Sequence, residues 1–188
     1  MNIRLTLFAI LFLCSFSLSA QLFVGEGGEV SFVSDAPLEE IVARSNSLRG
    51  AINLDDQTFA FTIDIATFEG FNSPLQREHF NEKYMESTRF PKATFRGKII
   101  ESIDVGVGGT QSIRAKGVFS IHGVSQERII RSTIRRTANG FQVDAKFDIL
   151  LEEHQIEVPR IVFENIAQEI AVALSINFQA QRGSSSGR

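Results

Sequence analysis

A chain of 188 residues, 43% of them hydrophobic, is long enough for one domain with its own core and too short for two comfortable ones. A net charge of −3, with no basic stripe, argues against nucleic-acid binding. The aromatic complement is 17 Phe, one Tyr and no Trp, which gives apolar bulk without polar handles and suits neither sugar nor cation recognition.

Residues 1–20, MNIRLTLFAILFLCSFSLSA, have the layout of a secretory signal peptide: Arg4, an apolar run from Leu5 to Leu13, then small residues up to Ala20. The run is too short to span a bilayer, so no stable membrane insertion is expected. Cleavage near Ser19 or Ala20 would leave a periplasmic or secreted protein. Cys14 follows Leu13 rather than the small residue a lipidation site wants, and reads as an apolar member of the leader. Beyond it the chain has no cysteine, which excludes disulfides, thiol catalysis, Cys-based zinc sites and covalent haem attachment.

From there to residue 181 the dominant signal is period-2 alternation, the mark of strands with one apolar face. EVSFVS near Glu29 is a first, less cleanly patterned strand. FAFTIDIATF places Phe59, Phe61, Ile63 and Ile65 on one face. ATFRGKII from Ala93 adds a further strand. IRAKGVFSI aligns Ile113, Ala115, Gly117, Phe119 and Ile121, and ERIIRSTIRR follows from Glu127. FQVDAKFDI stacks Phe141, Val143, Ala145, Phe147 and Ile149, and IAVALSINF stacks Ile170, Val172, Leu174, Ile176 and Phe178. His122–Ser125 and Asn139-Gly140 are hairpin signals, and Gly106, Gly108 and Gly109 mark a flexible loop. The segment 182–188 reads as a flexible, solvated tail.

About eight strands joined neighbour to neighbour predict an all-β fold: an eight-stranded antiparallel up-and-down barrel, lipocalin-like, which hides both its apolar face and its edges. A sandwich is the other architecture this pattern allows. An interior of that size can be filled by side chains or hold one small ligand.

One segment breaks the alternation. Ser73-Pro74-Leu75-Gln76 combines an N-cap, a proline at the first helical position and the Gln of a capping box. The helix is expected to reach Met85 or Glu86, with Pro91 beyond it. Leu75 and His79 share one face, Phe80 and Tyr84 pair at four-residue spacing, and Glu78, Glu82 and Glu86 form a wet face. So narrow an apolar stripe suits a short helix laid over one end of the barrel, as a lid or as the cap of a dry core.

Signals for chemistry are absent. His79, His122 and His154 form no HExxH or Cys/His cluster, so no metal site is expected. Neither GxSxG nor SxxK occurs, and the glycines at 106–109 have no phosphate-binding spacing. No catalytic residue and no resident cofactor are assigned.

With these elements in place, His79-Phe80, then Phe90-Pro91-Lys92-Ala93-Thr94-Phe95, then Gly117 to Ser125 resemble in order and spacing the YceI-like proteins, a family also described as polyisoprenoid-binding and lipocalin-like. The resemblance covers residues 28–180. Arg77-Glu78 stands where the family pattern often has Arg-Asp. What the resemblance implies is a barrel whose lumen holds an apolar lipid ligand, an isoprenoid quinone or a polyprenyl chain, for transport or storage. It implies His79 and Phe80 at the closing helix and Phe95 and Phe119 facing the lumen. The alternation adds Phe59, Phe61, Ile63, Ile65 and Phe147, and the helical pattern adds Tyr84. The competing reading is a filled barrel acting through its surface as an accessory or stress-response partner. A homodimer is compatible with either.

Overall fold

The computed structural model describes residues 22–104 and 109–181. The leader with Cys14, the 182–188 tail, and Gly106 and Gly108 of the glycine loop lie outside the described residues. Eight strands run from β1 (Leu22–Asp35) through β2 (Glu40–Asn53), β3 (Thr58–Asp64), β4 (Lys92–Ile99), β5 (Thr110–Ile121), β6 (Val124–Thr137) and β7 (Gly140–Leu150) to β8 (Glu169–Ala180). Each pairs antiparallel with its neighbour in sequence, and β1 closes on β8, so the sheet is an up-and-down barrel. Closure leaves no strand edge among the described elements to template association.

The expected alternation is the observed one. Ile113, Ala115 and Phe119 of β5, Phe141, Val143, Ala145 and Ile149 of β7, and Val172, Ile176 and Phe178 of β8 are all buried. The reading falls short at β2, which the pattern does not signal. There Ser45 takes an inward, fully buried position, and the inward phase slips between Ser45 and Leu48. A register shift opposite Gly28–Val30 of β1 accompanies the slip. A β-bulge of this kind is stable only if its polar groups find partners. Here Ser45 Oγ lies 2.6 Å from Thr67 Oγ1 and 3.0 Å from Ser47 Oγ.

Both hairpin signals fall at turns, with one adjustment. His122 and Gly123 form a two-residue loop between Ile121 and Val124, both with positive φ (52° and 75°), as a type I′ hairpin requires. The second turn consists of Ala138 and Asn139, since Gly140 already pairs with Thr137 as the first residue of β7. Gly140 serves β8 instead: a Cβ there would come within 1.9 Å of the Phe178 carbonyl oxygen. β3 also ends sooner than the alternation suggests, and Ile65–Thr67 form a 3-10 turn that keeps Ile65 inward and buried.

The two ends of the barrel differ. At one end the connections are short turns, and β4 leaves and β5 enters there. The other end, here called the mouth, carries both long excursions, residues 65–91 and 151–168. The predicted helix lies in the first. Ser73 Oγ accepts a hydrogen bond from the Gln76 N–H at 3.2 Å, and the Gln76 side chain accepts from the Asn72 N–H at 3.0 Å, one residue beyond the expected reciprocal partner. The α-helical part α1 (Pro74–His79) passes into a π turn over Phe80–Tyr84, where the Met85 N–H reaches the Phe80 carbonyl at 2.9 Å.

Candidate functional site

Inside the barrel lies a cavity of about 500 Å³, within the usual range for a small-molecule site. Inward positions from each of the eight strands contribute to its walls. Phe59, Phe61 and Ile63 of β3 and Ile65 just beyond it border the cavity, as do Phe95 of β4, Phe119 of β5 and Phe147 of β7. Aromatic contacts knit this wall together: Phe59 to Phe95 at 4.8 Å, Phe95 to Phe119 at 6.3 Å and Phe119 to Phe147 at 6.1 Å between ring centroids. His79, Phe80 and Tyr84 border the cavity from the helical excursion. The structure therefore brings all ten residues singled out by sequence to one lumen.

It adds others that sequence reasoning missed. Phe80 sits in an aromatic cluster at the mouth, 5.5 Å from Phe32, 6.0 Å from Phe68 and 5.0 Å from Phe71. Phe32 carried a weak strand signal, whereas Phe68 and Phe71 stand in irregular chain where periodicity is silent. Leu48 and Ile52 come from the unsignalled β2. On the second excursion, Val162 and Ile166 turn into the mouth while Ile161 is 91% exposed.

Glu39, in the turn between β1 and β2, ties these pieces together. Its Oε1 accepts from Asn72 Nδ2 and from Gln76 Nε2, both at 3.0 Å, and its Oε2 from Asn165 Nδ2 at 3.4 Å. One carboxylate thus fastens the start of α1 and the second excursion to the same rim. Two further bonds anchor that excursion, from the Leu38 N–H to the Glu164 carbonyl at 2.8 Å and from the Ala167 N–H to Ser34 Oγ at 2.9 Å.

Polarity along the lumen is graded. The ionisable side chains among the described residues that line it, Glu39, His79 and Tyr84, all stand at the mouth. Burial raises the Tyr84 pKa above the usual phenol value, so the group remains neutral. His79 Nε2 lies 3.2 Å from Lys83 Nζ, one turn along the helix. Deeper walls are hydrocarbon, relieved by Ser132 at a buried inward position of β6.

The other two histidines serve the mouth's architecture. His154 is fully buried with its ring edge-on to Phe119 at 5.4 Å, and desolvation lowers its pKa below the ordinary imidazole value, partly offset by the Val124 backbone. His122 Nδ1 lies 3.1 Å from the His154 carbonyl, and its Nε2 lies 3.4 Å from Glu86. Glu86 is thereby drawn toward the β5–β6 turn, unlike Glu78 and Glu82, which are exposed as the wet-face reading expects. Among the described residues no group of three His, Cys, Asp or Glu is placed to hold a metal ion.

Comparison with known proteins agrees with this geometry. The family profile described as YceI-like domain matches residues 25–178. A polyisoprenoid binding domain from Saccharophagus degradans, implicated in plant cell wall breakdown, superimposes with a TM-score of 0.71 at 14% identity, over 87% of this chain and all of that one. Burkholderia cenocepacia BcnA gives 0.66 at 16% identity, over 79% of this chain and 94% of that one. A Campylobacter jejuni YCEI protein gives 0.53 at 16% identity, over 70% and 78%. At such identities the likeness is one of fold. No curated protein sequence matches this chain.

Proposed function

The chain belongs to the YceI-like domain family, and from that premise we propose that it binds an isoprenoid-type lipid, a quinone or a polyprenyl chain, in the barrel lumen for transport or storage. The observation that carries this reading is the gradient of polarity: a hydrocarbon lumen of about 500 Å³ whose ionisable groups stand only at the mouth, among the described residues. Such a cavity matches an amphiphile with a long apolar tail and a small polar head. Burying each CH₂ contributes about 0.8 kcal/mol, so a few five-carbon units outweigh the cost of ordering the ligand, estimated at roughly 4–15 kcal/mol. No charged partner deep in the barrel is needed.

In this reading the ten lumen residues named from sequence are ligand contacts. Phe59, Phe61, Ile63, Phe95, Phe119 and Phe147 hold the tail, while His79, Phe80 and Tyr84 close over its head with Ile65 beneath them. No covalent step is involved, and the protein acts by binding alone. The leader-like residues 1–20 support a periplasmic or secreted location. The competing reading, a filled barrel acting through its surface, requires an interior packed to normal protein density, and the lumen weighs against it.

The test is lipid extraction and mass spectrometry of protein purified from its native host, alongside its intact native mass. A stoichiometric long-chain isoprenoid is the expected result. Absence of any copurifying lipid, together with no uptake of added quinone or polyprenol, would overturn the proposal. N-terminal sequencing of the same sample tests cleavage near Ser19 or Ala20, and the native mass reports whether two copies associate.

A further inference from the structure

We infer that a buried aromatic plug at the end opposite the mouth acts as a length stop that sets how many isoprene units the lumen accepts; the inference rests on the lipid-binding reading above. The cavity does not occupy the whole barrel. Toward the turn end it continues along β2–β5, bordered by Ile52, Phe59, Ile99 and Ile113. On the side of β7, β8 and β1 that end is solid. Phe141 and Phe178 face each other across the β7–β8 ladder and stack at 5.1 Å with 23° between their planes. Phe23 of β1 packs on Phe141 at 4.8 Å. All three are buried, Phe178 completely, and none of them borders the lumen.

Phe61 is the boundary between the hollow and the solid parts. Its ring borders the cavity and also meets Phe178 edge-on, at 5.8 Å and 88°. It has little room to retreat, because Phe61 and Phe178 both lie over Gly50 of β2. A Cβ on Gly50 would come within 2.9 Å of either ring. A tail advancing from the mouth along this wall therefore meets Phe61 backed by Phe178, and Phe178 backed by Phe141. Protein interiors give way little at such contacts.

The size of the effect follows from volume. Removing a large core side chain can open a cavity of about 150 Å³, enough for one benzene molecule. A five-carbon isoprene unit needs comparable space. Truncating Phe178, which lies directly behind Phe61, should therefore extend the accepted tail by about one isoprene unit.

The experiment is competitive uptake of a ladder of polyprenols, each one isoprene unit longer than the last, read by native mass spectrometry. The proteins compared are wild type, Phe178→Ala and Phe178→Leu, each checked for strand content by circular dichroism. In the wild type, affinity should rise with each added unit until the lumen is full, then level or fall. Phe178→Ala should move that break by about one unit, and Phe178→Leu by less. If Phe178→Ala fails to fold, Phe178→Leu is read in the same way. A break that stays in place in a folded, binding-competent variant would overturn the length stop, as would a wild type whose affinity has no break at all. In both of those cases lipid binding itself would stand. Uptake of no polyprenol by the wild type would instead remove the lipid-binding reading, and the stop with it.

Discussion

Replacing Phe80 by alanine should free the helical excursion from the mouth and leave the barrel closed. The Phe80 ring meets Phe71 at 5.0 Å, Phe32 at 5.5 Å and Phe68 at 6.0 Å. An aromatic pair contributes about 0.5–1.5 kcal/mol, so losing three costs about 1.5–4.5 kcal/mol. At the start of the helix Leu75 is 57% exposed and adds little, while Met85 and Tyr84 stay packed on the core beyond it. At about 1.4 kcal/mol per factor of ten, the undocked population should rise about ten- to a thousand-fold. The strand ladders do not pass through Phe80, so their pairing is untouched. Native-state hydrogen exchange separates local from global opening. The amides of Arg77 and Met85, which donate to the Ser73 and Phe80 carbonyls, should exchange faster by the same factor. Amides of the β7–β8 ladder should keep their rate. A uniform acceleration would make Phe80 part of the global core, and unchanged rates at Arg77 and Met85 would mean that something else holds the helix. Either result refutes the lid argument.

Glu39→Ala should loosen both excursions at once, because one carboxylate accepts from Asn72, Gln76 and Asn165. For partly exposed bonds the summed cost should be about 1–2 kcal/mol, measured as faster release of a bound apolar fluorophore; an unchanged release rate would remove Glu39 from the closure. Ala145→Phe should place a ring in the lumen, keep or raise the thermal midpoint and abolish uptake of that probe. An overpacked core would instead lose about 1–3 kcal/mol, and that outcome would show that no hollow exists there. His154 is held neutral by burial, with a folded pKa below the ordinary 6.5. Below pH 6.5 the unfolded chain therefore binds the proton that the folded chain refuses, and stability must fall on acidification down to the folded pKa. Urea midpoints at neutral and mildly acidic pH should show this drop, and His154→Gln should reduce it; equal slopes in the two proteins would count against the assignment.

Much of this architecture was legible because a half-buried strand must alternate. Phe59, Phe61 and Ile63, like Phe141, Val143, Ala145 and Phe147, announced both their strand and its inward face, and the structure keeps those faces. The start of the helix was legible for an equally local reason, since Ser73 and Pro74 satisfy the requirements of a first turn without help from elsewhere. β2 was hidden because its signal is not local. Ser45 is tolerated inside only because Thr67, distant in sequence, reaches it with a hydroxyl, and the phase slip before Leu48 breaks the period that would mark a strand. The mouth was hidden too. Phe68 and Phe71 have no periodic context, and only the folded excursion brings them onto Phe80. Glu39 gave no signal, because three amides from two other segments make it a clasp.

Whether the barrel is hollow is a separate question, and alternation cannot answer it. The in-or-out pattern tells each side chain which way to point, whereas the free volume at a given height is a sum across strands, fixed only once their register is known. Here the register places Ser132 opposite Ala145, Ala115 between Ile99 and Ile130, and Ala93 beside Ile63. All four small residues border the lumen. At the turn end the inward positions of β6–β8 are Ile134, Phe141, Ile176 and Phe178, and there the interior is solid. The mouth has Phe32, Phe68, Phe71 and Phe80, and there the chain closes over itself. Seventeen phenylalanines therefore do not by themselves imply a filled core. With bulky residues at 93, 115, 132 and 145, the same alternation and the same aromatic count would build a barrel with no room for a tail.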